Sequence, residues 1–314
     1  MEQPIVKVRD VLYPRLRAPD LDRMESFLAD FGMVRAARTD SALYMRGVEG
    51  HHHLHVCEKG EPGLVGWAFL AASAGDLDKL AATEGASAVH EIDEPGGGRR
   101  VTLTDPYGFT IELVHGIASV APLPEESSRP LNLGDRIERV RSVKRLKRGP
   151  ARVRRMGHLG INVPDVDEAF DWYHRHFGLL RSDSVAIADF TAAVFSRCDR
   201  GEEPTDHHTF LFQVGLEGVG LNHCSFEMQD LDDLWIGHEH LAEHGYNHNW
   251  GIGRHTLGSQ MFDYWRDPWG QIHEHFTDGD LLDAGHEPGR FGIEDAASQW
   301  GPQMPDDFGR TIAS

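Results

Sequence analysis

The chain has 314 residues, more than one typical core requires, so two domains packed together are expected. Its 50 acidic residues outnumber its 31 Lys and Arg, which disfavours nucleic acid as a partner because phosphate backbones repel negative charge. No apolar run approaches the roughly 18 residues of a membrane span, and three scattered cysteines argue against a disulfide framework and a thiolate zinc site. We therefore expect a soluble, cytoplasmic protein in which any metal ligands are carboxylates or some of the 20 histidines.

The first half begins with the pattern of a strand followed by a helix. Residues 12–33, LYPRLRAPDLDRMESFLADFGM, alternate like a strand, turn at Pro-Asp, continue as an amphipathic helix and end at a glycine. A second helix is predicted over 76–84. Residues 102–114, TLTDPYGFTIELV, predict two strands joined by an Asp-Pro-aromatic-Gly turn. With further strand-like stretches between, the implied unit is β-α-β-β-β, used twice.

A change of composition follows the first half. Residues 121–130 are rich in Pro, Glu and Ser, and residues 136–155 carry ten Lys or Arg. We interpret 121–152 as a basic linker rather than a nucleic-acid or lipid patch. It separates an N-terminal domain, 1–120, from a C-terminal domain, 153–283, which is followed by a tail, 284–314.

The second half repeats the plan of the first. Residues 157–179, GHLGINVPDVDEAFDWYHRHFGL, match 12–33 in pattern, a helix is predicted over 230–244, and 263–276, DYWRDPWGQIHEHF, match 102–114. The predicted fold is therefore α+β, with two domains that each combine two βαβββ modules into an open, barrel-like mixed sheet with its helices outside.

Aligning the two copies shows where they differ in chemistry. The paired positions are Tyr13 with His158, Phe69 with His223, and Glu112 with Glu274. Two histidines and a carboxylate thus occur as a set only in the second copy. This is the ligand set of the 2-His-1-carboxylate facial triad, which leaves three positions of an octahedral Fe(II) free for other ligands.

From 156 to 282, the order and spacing of GHLGINV, DHHTFLF, LNHCSFEM and GRHTLGSQMFDYWRDPWGQIHEHF resemble the type I extradiol ring-cleavage dioxygenases of the vicinal oxygen chelate superfamily. The resemblance implies that His158, His223 and Glu274 bind Fe(II), with Mn(II) as the alternative. It also implies that dioxygen opens the ring of a catechol-type or trihydroxylated aromatic outside the diol. Members of this family commonly form homo-oligomers, and we expect one here.

The same resemblance implies roles for three further residues. His208 would be the acid-base residue, and His255 and Tyr264 would hydrogen-bond the substrate hydroxyls. Because successive strand residues point to opposite faces, only one of His207 and His208 can enter the pocket, and the spacing favours His208. Arg254 either binds an acidic substituent of the substrate or pairs with a carboxylate of the protein.

Other histidines receive less specific readings. If Glu274 faces the metal, His273 and His275 point away from it, and a cupin-like site built on these two lacks further ligands at the required spacing. Two other sets of histidines are assigned no catalytic role: His51, His52, His53 and His55 are interpreted as a remnant or a surface feature, and His238, His240, His244 and His248 as part of the solvated face of the second helix and its exit.

Three other functions compete with ring cleavage. A glyoxalase- or epimerase-like enzyme would use the metal without oxygen and would not need His208, His255 and Tyr264 together. A para-diol dioxygenase would attack other ring positions, and an aromatic-ligand-binding module would need no metal ligands. Within the family, the run from 258 to 282 looks like the trihydroxytoluene-oxygenase branch. We expect the pocket walls to come from loops, such as 186–200, and from the tail, 284–308.

Overall fold

The computed structural model describes residues 3–124, 130–215 and 218–310. The elements of the first half are β1 (Val8–Ala18), α1 (Leu21–Asp30), β2 (Val34–Arg38), β3 (Ala42–Arg46), β4 (His55–Lys59), β5 (Gly63–Ala71), α2 (Ala74–Ala81), β6 (His90–Glu91), β7 (Arg99–Thr104) and β8 (Thr110–His115). Those of the second half are β9 (Met156–Val163), α3 (Val166–Phe177), β10 (Leu180–Ile187), β11 (Phe190–Arg197), β12 (Thr205–Asp206), β13 (Phe210–Val214), β14 (Gly220–Glu227), α4 (Leu231–Glu243), β15 (Asn247–His255), β16 (Met261–Arg266) and β17 (Ile272–Thr277). After them come β18 (Leu281–Leu282), β19 (Gly289–Gly292), a short 3-10 helix (Ile293–Ala296) and β20 (Ser298–Trp300).

Each half combines two βαβββ modules, which confirms the predicted fold. The first sheet has the order β2-β3-β4-β1-β5-β8-β7-β6, and the second has the order β19-β10-β11-β13-β9-β14-β17-β16-β15-β20. The first strands of paired modules run antiparallel, β1 beside β5 and β9 beside β14. Each first strand is also parallel to the last strand of its module, as in β9 with β13 and β14 with β17. The two modules of a half therefore meet at the centre of its sheet.

Helices α1 and α3 begin where the sequence predicts capping residues. Asp20 and Asp165 accept hydrogen bonds from backbone N–H groups in the first turns of α1 and α3. Helix α3 ends at Gly178, whose φ of 72° lies in the left-handed region that glycine tolerates best. Helix α2 starts two residues before the predicted position, because Ser73 rather than a later residue caps it.

No helix or strand occurs among the described residues between β8 and β9. The predicted linker includes 125–129, and the predicted tail includes 311–314, all of which lie outside the described residues. Strands β19 and β20 of the tail pair with β10 and β15, so this part of the tail extends the second sheet. Of the helices described, none is long and apolar enough to cross a membrane.

One hydrophobic core runs through both halves. Trp67 on β5 is fully buried, and its ring lies 4.9 Å from that of Phe210 and 5.9 Å from that of Tyr173. Buried aromatic rings at these separations add to the hydrophobic contribution of their burial. The first half therefore supports the sheet that carries the site described next.

Candidate metal centre and substrate cavity

Three strands of the second sheet bring His158, His223 and Glu274 together. The Nε2 atom of His158 lies 2.9 Å from that of His223 and 3.0 Å from Oε2 of Glu274. His223 Nε2 is 3.6 Å from the same oxygen. Ligand atoms bound at right angles about 2.1 Å from one ion lie about 3.0 Å apart, so the spacing fits a shared metal.

The burial of this trio also fits a cation. Glu274 has no exposed surface, and neither of its carboxylate oxygens has a hydrogen-bond partner among the described residues. The side chains nearest to its Oε2 atom are the imidazoles of His158 and His223, and burial lowers the pKa of His223 to about 3, which keeps that ring neutral near pH 7. A buried carboxylate without a compensating positive charge is costly, so the donor set suits a divalent metal.

Asn222 orients one of these histidines. Its Oδ1 lies 2.7 Å from His223 Nδ1, so Nδ1–H donates to the amide and Nε2 keeps its lone pair for the site. Strict alternation would put the two side chains on opposite faces of β14. The pairing of β14 with β9 instead shifts register between Leu221 and His223, and this irregularity has no signal in the sequence.

His208 lines the adjacent cavity, whereas His207 does not. His207 Nε2 lies 2.8 Å from Asp183 Oδ2, and the Nδ1 atoms of the two histidines are 3.1 Å apart. Gln260 Nε2 approaches His208 Nδ1 at 3.4 Å. The pair lies between β12 and β13 rather than within one strand, so the alternation assumed for it does not apply. Its orientation follows from the bond to Asp183, which sequence patterns did not reveal.

His255 and Tyr264 lie beside the trio. His255 Nε2 is 2.8 Å from the Tyr264 hydroxyl and 3.7 Å from Glu274 Oε1. Tyr264 is directly opposite Glu274 in the pairing of β16 with β17. Burial, followed by the charge of Glu274, raises the pKa of Tyr264 well above its ordinary value, so its hydroxyl keeps its proton.

A cavity of about 280 Å³ opens next to these residues. Its polar lining includes His208, His223, His255 and Tyr264, and most of its other lining residues are apolar: Val185, Ile187, Phe190, Ala192, Ala193, Phe195, Leu211, Val214, Trp250, Leu257, Ile293, Ala296, Met304 and Phe308. Both segments predicted to form walls do so. The prediction that 186–200 is a loop is wrong, because this segment is largely the β10–β11 hairpin.

Arg254 is not among the residues that line this cavity. Its guanidinium donates to the Ser259 carbonyl at 2.6 Å and to Asp278 Oδ2 at 2.7 Å. The sequence left two roles open for Arg254, binding an acidic substituent of the substrate or pairing with a carboxylate of the protein. In the structure, Arg254 pairs with a carboxylate of the protein.

His273 and His275 point away from the trio, toward the first half. His273 Nε2 lies 3.2 Å from that of His55, and His275 Nε2 donates to the Phe31 carbonyl at 2.7 Å. His55 is fully buried and His53 is 7% exposed, so the reading of these two as a surface feature is wrong. His55 is buried against His273 of the second half, whereas His53 packs against Tyr13 and Tyr44 of its own half.

The first-half counterpart of the trio is an ion-pair network. Glu112 Oε1 accepts from Arg15 Nε at 2.8 Å, and Oε2 accepts from Tyr13 at 2.9 Å and from Arg100 at 3.2 Å. Arg15 and Arg100 also bind Glu94. The cation that Glu112 requires is thus a guanidinium of the same half.

Comparison with known proteins agrees with this geometry. The family model described as the glyoxalase/bleomycin resistance protein/dioxygenase superfamily matches residues 10–113 and 155–274. The chain belongs to this superfamily. It is 31% identical to metapyrocatechase 2 of Cupriavidus necator, over 98% of this chain and 93% of that protein.

Two solved structures have a fold similar to that of this chain. The Mn(II)-bound glyoxalase from Novosphingobium aromaticivorans has a TM-score of 0.80 at 21% identity, covering 98% of this chain and 96% of the other. Homoprotocatechuate 2,3-dioxygenase from Brevibacterium fuscum, in complex with 3,4-dihydroxyphenylacetate, has a TM-score of 0.80 at 18% identity, covering 98% and 93%. The predicted superfamily and fold are confirmed. The trihydroxytoluene-oxygenase branch stays a prediction.

Proposed function

We propose that this protein is an extradiol dioxygenase, which opens the ring of a catechol-type or trihydroxylated aromatic with dioxygen at a mononuclear Fe(II) site. The observation that carries the proposal is the convergence of His158, His223 and Glu274 beside a cavity that also presents His208, His255 and Tyr264. A sequence identity of 31% to a metapyrocatechase over nearly the whole chain supports it.

In this proposal, the trio holds the metal with two neutral imidazoles and one carboxylate, which leaves a divalent ion with net positive charge. When bound, Fe(II) would supply electron exchange between a chelating diol and dioxygen, and Mn(II) is the alternative ion. Asn222 keeps the His223 ring in the tautomer that ligation requires.

His208 is proposed as the residue that moves protons on the cavity side of the trio. Burial lowers its pKa well below the ordinary value, so it is a neutral imidazole that can accept a proton and return it. The His207–Asp183 bond anchors the neighbouring ring, which fixes where His208 points.

His255 and Tyr264 are proposed to bind the diol. The hydrogen bond between them keeps both polar groups directed at one side of the cavity, where substrate hydroxyls would exchange protons with them. Arg254 was a third candidate for substrate binding, and its pairing with Asp278 gives it no part in this proposal.

The apolar lining supports a substrate with uncharged, apolar ring substituents. Among the described lining residues there is no Lys or Arg to compensate a carboxylate on the substrate, and burying an unpaired charge is costly. We therefore expect alkyl- or aryl-substituted catechols to be better substrates than catechols that carry an acid group.

The test is anaerobic reconstitution of the full chain with Fe(II), followed by oxygen uptake and visible absorbance over a panel of diols. Oxygen uptake with a yellow ring-opened product from apolar catechols is expected. Turnover of hydroquinones alone would favour the para-diol reaction. Metal-dependent turnover of a superfamily substrate without oxygen uptake would favour a glyoxalase- or epimerase-like enzyme. A homo-oligomeric state is also proposed, and light scattering of the purified chain tests it.

A further inference from the structure

The opposite face of the second sheet carries another group of two histidines and a carboxylate: His238 on α4, His248 on β15 and Asp263 on β16. His248 Nε2 lies 2.8 Å from Asp263 Oδ1, and His238 Nδ1 lies 3.1 Å from the same oxygen. The three candidate ligand atoms are within 4.8 Å of one another. Because Asp263 precedes Tyr264 in its strand, its side chain points away from the cavity.

The Asp263 carboxylate is fully buried, yet no Lys or Arg is paired with it among the described residues. Trp265 Nε1 donates to Oδ2 at 2.5 Å, and the two imidazoles approach Oδ1. An ionised carboxylate in this position needs a positive charge beside it, either a proton on a histidine or a metal ion.

The first half has no such group at the corresponding positions. Counting back four residues from the Asp of each Asp-Pro turn pairs Asp263 with Val101, and counting from the helix caps pairs His238 with Ala81. Val101 is fully buried in the apolar core. The second copy thus places a charged carboxylate and an imidazole where the first copy has ordinary apolar residues. The same kind of difference between copies marks the trio of the candidate metal centre.

We propose that His238, His248 and Asp263 bind a second divalent metal ion, of the zinc type. Two imidazoles and a carboxylate are donors that Zn²⁺ accepts, and it commonly completes its shell with water. The side chains of His238 and His248 are 25% and 32% exposed, which gives the ion and its water access from solvent. Trp265 fixes the second carboxylate oxygen, as outer hydrogen bonds do at metal sites. The ion joins α4 to β15 and β16, so its role is structural and separate from the proposed reaction.

The test uses the full chain with His158→Ala, which removes a ligand from the candidate catalytic centre and leaves the second group intact. After treatment with EDTA, this variant is titrated with Zn²⁺ alone, and bound zinc and the melting temperature are measured. We expect about one equivalent of zinc to bind and to raise the melting temperature, because binding energy adds to folding energy. No binding at micromolar zinc overturns the proposal.

Two further substitutions, each combined with His158→Ala, test where the zinc ion binds. His248→Gln should weaken zinc binding by on the order of 100-fold or more, since loss of an outer-shell partner alone costs 10–100-fold. Its matched control is His244→Gln, which changes an exposed histidine of a separate group with Asp30 and His240 and should leave binding unchanged. Zinc that survives His248→Gln, or is lost with His244→Gln instead, contradicts the assignment. If the His248→Gln chain does not fold in EDTA, His238→Gln makes the same test from the helix.

Discussion

Glu112 and Glu274 occupy equivalent positions in the two halves, and both carboxylates are buried, but they meet different neighbours. Glu112 is bound by the guanidinium of Arg15, which lies two residues after Tyr13 on β1. The equivalent position on β9, two residues after His158, is Gly160. A Cβ at Gly160 would already lie 3.2 Å from the His223 ring, so any larger side chain there would crowd that ring.

The difference shows how one scaffold meets the same electrostatic requirement in two ways. The first copy encloses its own cation, Arg15, in an ion-pair network with Glu112 and Glu94. The second copy has Gly160 in place of that side chain and His158 in place of Tyr13. The strand pairings place His223 opposite Gly160 as Gly66 is opposite Arg15, so the predicted pairing of His223 with Phe69 is wrong and its counterpart is Gly66. In the proposed function, the second carboxylate is left for a metal ion. A buried pair is stable only while both partners remain, so the first copy depends on Arg15 and, under the proposed function, the second depends on a metal ion.

The largest expected effect comes from His158→Ala in the second copy. Removing one of three ligands should lower metal affinity by more than about 100-fold and abolish oxygen uptake. Metal content of the purified chain and oxygen consumption are the measurements. Tyr13→Phe, at the equivalent position of the first copy, is the control and should retain metal. Full iron retention by His158→Ala would end the assignment of the trio.

His208→Phe separates proton transfer from metal binding in the second half. We expect metal content to remain at the parent level while kcat falls by about 10²- to 10⁴-fold, the usual contribution of a positioned acid-base group. His51→Phe alters an exposed histidine of the first half and should change neither quantity. A fully active His208→Phe enzyme would mean that the proton-transfer role is wrong.

Arg15→Met tests the cation of the first half. It leaves Glu112 with Tyr13 and the more distant Arg100, so the free energy of unfolding should fall by about 3 kcal/mol. Denaturant unfolding measures this, and metal stoichiometry should not change. Glu112→Gln should likewise keep the stoichiometry of the parent. A loss of metal from Glu112→Gln would show that the first half also holds an ion.

The smallest expected effect is a pH dependence of the first-half network. Burial raises the pKa of Glu94, but the attraction and hydrogen bonds of Arg15 and Arg100 together exceed this and set the pKa at about 2, below the ordinary 4.5. The stability that Glu94 contributes is therefore complete above pH 4.5 and is lost as the pH falls through 2. The difference in melting temperature between the parent and Glu94→Gln should shrink across this range. Glu84→Gln, at an exposed position, should differ little from the parent throughout, and a constant Glu94→Gln difference would contradict the argument.

The sequence by itself determined the repeated βαβββ plan and the three residues of the trio. These signals are local: strand alternation, capping residues and glycine stops recur in each copy, and a mismatch between copies can be read at single positions. The choice of His208 over His207 also agrees with the cavity lining, although the pair does not lie within one strand.

Only the tertiary structure decided which polar residues meet across the chain. Arg254 pairs with Asp278 rather than entering the cavity, His55 is buried against His273, and Asp263 gathers histidines from a helix and a neighbouring strand. Each of these contacts joins residues distant in sequence, and its energy depends on burial and on the position of the partner. The periodicity of one segment gives neither the burial of a side chain nor the position of its partner. The histidine-rich pattern of α4 and β15 therefore could not distinguish a solvated face from a buried charge cluster.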